Sequence, residues 1–388
     1  MTEPEREIES ILRERYVKWS ELQRLSRRKG GFRSNQLRNR IWPKMLNIDR
    51  YSIIDYRQFI KEHADYAQVQ CDIERSLWTY QQVLKWPEEL LKRRRESLSN
   101  IIMAILSRNK QLHYFQGLHD VISVFLLVFQ EDTLTFAVAE HVCLHVFNVC
   151  LLKDFETVKE TMQIIMIIIK ISDRQLYDRL TSVNMEPYFA FSWIITWFSH
   201  SVKDIHLIAR IFDVMLCSPP YYSYYLAASY VLLNRDQIMN MEPEFATLHH
   251  NLSALPSLTQ FSFEDVLLYT DNLIKSLPIE AVLRRREVTK ELWTLVSSGK
   301  LALFNSIDNS GLLIPSDWLL LHNNHLVQKR AADRIGWGWK SCQSTNVHVN
   351  DDHKVIKHSN YMKYVLILSV IGIAAVTDIM MGNKRMYI

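Results

Sequence analysis

What most constrains this chain is how seldom it is interrupted. Only 9 glycines and 10 prolines punctuate its 388 residues, so long unbroken elements are the expected building units. Within them apolar residues recur at three- and four-residue spacing. "PEREIESILRERYVKWSELQRL" sets Ile8, Ile11, Leu12, Tyr16 and Trp19 on one stripe, the pattern of an amphipathic helix. "PEELLKRRRESLSNIIMAILSRN" opens with Pro87 where a first helical turn tolerates it, and Glu88 and Glu89 follow near the positive end. "DTLTFAVAEHVCLHVFNVCLL" predicts a helix of about five turns capped by Asp132. "SFEDVLLYTDNLIKSL" begins with a Ser-x-x-Asp box ahead of an apolar run. Strand-like alternation bounded by turn signals is hard to find. "IIMIIIKI" has strand propensity, but its helical neighbours and the lack of a pairing candidate make it a buried helix. The fold class read from these patterns is all-α.

Apolar residues at 48% and charged residues at 23% are a globular balance. A net charge of +4 gives no ground for a nucleic-acid partner, and the basic runs "RRKGGFR" and "LKRRRES" read as solvated helix faces. Cys71, Cys143, Cys150, Cys217 and Cys342 are odd in number, irregularly spaced and without a C-x-x-C pair. They indicate neither a disulfide framework nor a zinc site, and fit a reducing compartment. "MTEPEREIES" is charged from its start, which is not the pattern of a secretory signal. After Leu303 the periodicity is lost and turn formers, Asn and His dominate, the composition of a linker with at most a short helix around Trp318 to Leu321. From Tyr364 to Met381 the chain carries a single charge, Asp378, with Lys354, Lys357 and Lys363 before it and Lys384 and Arg385 after it. A bilayer core takes ~20 apolar residues, and an acidic residue near an interface costs less than one at the centre. The expected organisation is a helical extension over 1–34, the main helical domain over 35–303, an irregular linker over 304–360 and a single-pass transmembrane tail anchor over 361–388. The helical domain then lies in the cytosol.

Most catalytic signatures are missing. "SSGKL" has the Gly-Lys pair of a phosphate loop without its upstream glycine or following hydroxyl, and G-x-S-x-G, H-E-x-x-H and G-x-G-x-x-G do not occur. His141 and His145 stand one helical turn apart with no third ligand in view, so no metal or cofactor of its own is expected. Two motifs remain. "VQCDIERS" places Asp72 and Arg75 three apart on one helix face, by itself a surface ion pair worth roughly 0.2–0.5 kcal/mol. "HYFQGLHD" sets Gln116 beside Tyr114 and Phe115 and before Gly117, just ahead of an apolar run. An unsatisfied buried glutamine costs ~1–3 kcal/mol. Either the fold satisfies Gln116 internally or it is held out for a partner.

Together and in this order the two motifs resemble those of the TBC family, the helical GTPase-activating proteins of Rab GTPases. The family's I-x-x-D-x-x-R corresponds to Val69, Asp72 and Arg75, with valine for isoleucine, and its Y-x-Q-G to Tyr114, Gln116 and Gly117. The likeness runs from about Asn35 to Ser276 and includes "LRNRIWPKML" with Trp42, "SWIITWFSH", and "RIFDVML" in place of the usual R-[IL]-W-D. Within the family the wording is similar to the endoplasmic-reticulum-anchored branch, which has a histidine where His119 stands and ends in a hydrophobic membrane segment. The resemblance implies a multi-helical Rab-GAP domain whose partner is a Rab GTPase in its GTP form. Arg75 would act as an arginine finger and Gln116 as a glutamine finger on the GTP and Mg bound to that Rab. Asp72, Tyr114 and Gly117 would position them, Gly117 by letting backbone approach the partner closely, with Asp120 and Trp42 in support. It further implies a Rab of the early secretory pathway and a place on the endoplasmic reticulum membrane or early Golgi. Two other readings stay open at this point. One is an anchored protein that recruits a Rab without stimulating it; the other is a helical scaffold, which predicts Arg75 and Gln116 far apart or buried.

Overall fold

The computed structural model describes residues 3–283, apart from 14–18, 47, 148–149, 152–154 and 220, together with the pairs 306–307 and 313–314. All of them lie within the unit Met1–Gly336. The first half of the described chain builds α1 (Glu3–Arg13), α2 (Trp19–Arg27), α3 (Asn35–Met45), α4 (Tyr66–Glu74), α5 (Trp78–Leu84), α6 (Glu88–Arg108), α7 (Leu118–Phe129) and α8 (Asp132–His145). The second half builds α9 (Glu156–Ser172), α10 (Arg174–Thr181), α11 (Phe191–Ile195), α12 (Ile205–Met215), α13 (Tyr222–Leu233), α14 (Arg235–Met239), α15 (Phe245–Leu258), α16 (Phe263–Ser276) and α17 (Ile279–Leu283).

The core forms around helices that are apolar on every side. In α7 each residue except Asp120 is buried, and α13 is buried from Tyr222 to Leu232. A helix without a polar face needs neighbours all round. α7 is covered by α3, α6, α8 and α12, and α13 by α9, α11, α15 and α16. The isoleucine run lies in α9, where Ile164, Ile165, Ile168 and Ile169 are fully buried, so its helical neighbours do override strand propensity. Ser262 and Asp265 close the expected capping box at the start of α16.

Three expectations need correction. α8 ends at His145 after 14 residues, closer to four turns than five, and Asp132 is its first residue rather than its cap. The Asp132 carboxylate is drawn instead to Ser97, whose hydroxyl donates to it at 2.7 Å. Within the linker, Ser306–Ile307 and Leu313–Ile314 pair as a two-residue antiparallel ladder, with Ser306 opposite Ile314. The basic runs are not simply solvated faces. Arg27 ion-pairs with Asp271 at 3.1 Å and lies over the Tyr222 ring, while Arg95 turns inward to the chain's own backbone. Among the described residues no helix is long and apolar enough to cross a membrane; the segment 364–381, expected to do so, lies outside them.

Candidate functional site

Arg75 stands at the C-cap of α4, with φ −98° and ψ 0°. α4 is short, and its apolar Val69 and Ile73 face the core together with Asp72. The side chains of Asp72 and Arg75 are 0% and 52% exposed, with one Arg75 nitrogen, Nη2, donating to Asp72 Oδ1. This is not the surface pair that the spacing alone suggested. The carboxylate is enclosed by protein and the guanidinium reaches out from it into solvent.

A second segment is tied to the same carboxylate. The Tyr114 hydroxyl donates to Asp72 Oδ2 at 2.7 Å, and the Tyr114 backbone N–H donates to Asp65 Oδ2 at 2.8 Å. Asp65 is the N-cap of α4 and Asp72 lies in its last turn, so the loop carrying Gln116 is fastened near both ends of the helix that Arg75 caps. Gln116 is partly exposed in the turn before α7. No intramolecular hydrogen bond of its side-chain amide is found among the described residues, in contrast to the bonded amides of Gln70, Asn109 and Asn234. Gly117 has φ +113°, and a Cβ there would lie 2.7 Å from Thr196 Cγ2. Inside the chain, glycine is thus required both by the backbone conformation and by the close approach to Thr196.

Burial of Asp72 is compensated by a line of polar groups running away from Arg75. Tyr114 gives its one hydroxyl proton to Asp72, so the hydroxyl oxygen is left to accept from His119 Nδ1 at 2.9 Å. His119 Nε2 lies 3.5 Å from Asp120 Oδ1, and His200 Nδ1 lies 2.8 Å from Asp120 Oδ2. Burial and then the neighbouring Asp72 push the Tyr114 hydroxyl well above its usual range. Burial lowers the pKa of His119, against the opposing pull of Asp120 and Asp72. At Asp120 burial acts upward, but nearby His119 and the hydrogen bond from His200 outweigh it and hold the carboxyl at about 2.

Trp42 belongs to a different cluster. It is fully buried, its Nε1–H donates to Asp213 Oδ1 at 3.0 Å, and its ring meets Phe125 and Phe129 edge-on. Arg38 donates from Nε and Nη2 to the two oxygens of Asp213, each at 2.9 Å, and the Phe32 N–H adds a bond at 3.1 Å. Trp42 thus ties α3 to α12 and shares none of the Asp72 hydrogen bonds. Asp65, His119 and His200 join the site without having been assigned to it from the sequence. The only signal for them was that His119 lies in the "YFQGLHD" motif and His200 ends "SWIITWFSH". Among the described residues no group of three or more His, Cys, Asp or Glu could hold a metal ion.

The family model described as the Rab-GTPase-TBC domain matches residues 35–239. TBC1 domain family member 20 of Homo sapiens is 34% identical over 240 residues, which cover 61% of this chain and 58% of that protein. The Mus musculus protein of the same name is 30% identical over 290 residues, 74% of this chain and 70% of that protein. GTPase-activating protein gyp10 of Schizosaccharomyces pombe is 31% identical over 237 residues, 58% of this chain and 61% of that protein. The matches to the Bos taurus and Homo sapiens proteins thus span less than two thirds of those relatives, 58% of each. Among solved structures, the Ypt/Rab-GAP domain of Gyp1p superposes with a TM-score of 0.59 at 16% identity, over 73% of this chain and 98% of that one. That likeness is one of fold. The chain belongs to the Rab-GTPase-TBC domain family.

Proposed function

We propose that this TBC-domain chain accelerates GTP hydrolysis on a Rab GTPase by supplying the Arg75 guanidinium and the Gln116 amide in trans. The observation that carries the reading is one buried carboxylate, Asp72, fastened both to an exposed arginine and, through Tyr114, to the loop of a glutamine whose amide has no hydrogen-bond partner among the described residues. A scaffold would have no use for either group at the surface. Hydrolysis moves negative charge onto phosphate oxygens and needs an oriented water. A guanidinium supplies fixed charge and forked donors, which lysine cannot copy. An arginine supplied in trans is worth ~10³–10⁵ in rate, or ~4–7 kcal/mol of barrier. The glutamine carbonyl can accept from the water while its NH₂ donates to a phosphate oxygen. GTP and Mg come with the Rab, and this chain brings no cofactor.

The name of one relative, GTPase-activating protein gyp10, supports this activity. The resemblance to the endoplasmic-reticulum-anchored branch and the apolar run over 364–381 support the finer reading. In that reading the protein is tail-anchored in the endoplasmic reticulum or early Golgi membrane, its helical domain is cytosolic, and its substrate is a Rab of early secretory traffic.

The test is single-turnover GTP hydrolysis by a panel of purified GTP-loaded Rab GTPases with the full chain. Arg75→Ala should lose most of the stimulation and Arg75→Lys nearly as much. Gln116→Ala should lose less but be clearly impaired, with its thermal midpoint within about 1 °C of wild type because its amide makes no bond among the described residues. Full stimulation by Arg75→Ala would end the assignment. Stimulation of no Rab at all would leave the anchored recruiter as the better reading.

A further inference from the structure

Three consecutive arginines on α6 do three different things. Arg93 pairs with Glu89 on the exposed face, and Arg94 lies 3.9 Å from Asp132. Arg95 instead turns its fork onto a neutral backbone oxygen, with Nε and Nη2 donating to the Ser76 carbonyl at 3.0 and 2.8 Å. It has no carboxylate partner among the ion pairs of the described residues, and burial lowers its pKa despite nearby Glu74.

The carbonyl it holds is that of the residue immediately after Arg75. Ser76 is buried, and both its N–H and its hydroxyl turn back to the Ile73 carbonyl, at 3.0 and 2.8 Å. Leu77 follows with φ +60°, a left-handed conformation unfavourable for leucine. The chain therefore reverses over three residues in which the N–H, hydroxyl and carbonyl of Ser76 are all held, and Arg75 projects from the start of that reversal. Two donors in a rigid plane fix the direction of a carbonyl, whereas a single rotatable ammonium does not. The carbonyl also lies at the C-terminal end of α4, where a cation is favoured. One helical turn on, Ser99 accepts from Gln70 at 2.7 Å, a second tie between α6 and α4 that does not touch the reversal.

We propose that Arg95 is a positioning residue for Arg75, fixing through the Ser76–Leu77 peptide plane the backbone from which the guanidinium reaches a bound nucleotide. The inference rests on the reading of Arg75 as the arginine supplied in trans. It gives the "LKRRRES" run a role in catalysis without contact with substrate.

The test uses the full chain and the Rab GTPase that wild type stimulates most, with kcat and KM measured for wild type, Arg95→Ala, Arg95→Lys, Gln70→Ala and Arg75→Ala. Misplacing a catalytic group by about 1 Å costs up to about a hundredfold. Arg95→Ala should therefore lose about tenfold to a hundredfold in kcat with KM for the GTP-loaded Rab nearly unchanged. Arg95→Lys, which keeps the charge and loses the fork, should lose kcat in the same way. Gln70→Ala should keep wild-type kcat. Wild-type kcat in Arg95→Ala or Arg95→Lys beside an inactive Arg75→Ala would overturn the inference and leave the proposed function standing. So would a kcat loss that disappears on assay about 10 °C lower, the mark of a merely unstable fold. A fully active Arg75→Ala would instead remove the reading on which both stand.

Discussion

Tyr114→Phe probes the junction of the two candidate segments with little other disturbance. The ring keeps its volume, so no cavity opens, and the backbone bond from Tyr114 N–H to Asp65 survives. What is lost is the 2.7 Å hydroxyl donation to Asp72 Oδ2, a carboxylate with no exposure to solvent. A hydrogen bond to a charged group contributes ~1.5–3 kcal/mol, and a buried charge left short of donors has no water to replace the one removed. His119 Nδ1 loses its acceptor at the same time, but it already lies 3.5 Å from Asp72 Oδ2 and can close on it. The net loss should therefore stay near ~1.5–3 kcal/mol rather than double. At ~2–4 °C per kcal/mol for a domain of this size, the thermal midpoint should fall by roughly 3–12 °C. Urea and thermal unfolding of the full chain, read by circular dichroism, measure the loss directly. Stimulation of the Rab should fall as well, assayed well below the midpoint, because Asp72 no longer holds a fixed orientation under Arg75. A midpoint within about 1 °C of wild type would mean that the hydroxyl does not carry the buried charge. The chain of bonds from Arg75 to His200 would then have no energetic content.

Two further perturbations separate the site from its support. Asp213→Asn keeps the shape of the hub but leaves Arg38, 4% exposed, without its counter-charge. Removing one member of a buried pair costs ~3–5 kcal/mol, so urea unfolding should show a loss of that size. A loss under about 1 kcal/mol would refute the hub as an anchor of α3 to α12. His119 gives a pH signature. Burial lowers its pKa in the fold, so its neutral form contributes stability that is fully present above the unfolded value near 6.5. That contribution is lost as pH falls from there toward the folded value. Between pH 7.5 and 5.5 the urea midpoint of wild type should therefore drop more than that of His119→Asn. Parallel drops would show that His119 is not held neutral. His249, also lowered by burial, is common to both proteins and cancels in the difference.

Periodicity carried the fold far because the question it answers is local. A run such as "IIMIIIKI" between helical neighbours needs cover on all sides, and α9 finds it against α13 and α10. The Ser262–Asp265 box is complete within four residues, so it could be read without any tertiary knowledge. The length of α8 could not. Its apolar pattern continues past His145, so no local signal marks the stop. The site divides in the same way. Arg75 and Asp72 are one helical turn apart and their pairing was legible, but the burial of Asp72 depends on Tyr114, 42 positions away. His200 reaches Asp120 across 80 positions and Arg38 reaches Asp213 across 175. A sequence shows which residues want partners. It does not show which distant group meets that want, and Arg95 was assigned to solvent for that reason.

The asymmetry of the Asp72–Arg75 pair bears on what the pair is for. As a stabilising device it is poor: taking a carboxylate fully out of water costs several kcal/mol, and a half-exposed arginine returns little of it. Tyr114 and His119 offset the remainder only by extending a line of polar groups through Asp120 out to the exposed His200. Apolar packing beneath α4 would hold the helix with less expense of polar groups. What apolar packing cannot do is grip a guanidinium by one nitrogen and leave its other donors pointing outward. It also cannot make the same grip set the position of a second loop. A carboxylate with no exposure, shared between an arginine and a tyrosine, does both, and with the peptide plane beyond Arg75 held by Arg95 the arginine is constrained from side chain and backbone together. That is the arrangement expected where the direction of an exposed charge matters more than the stability it contributes.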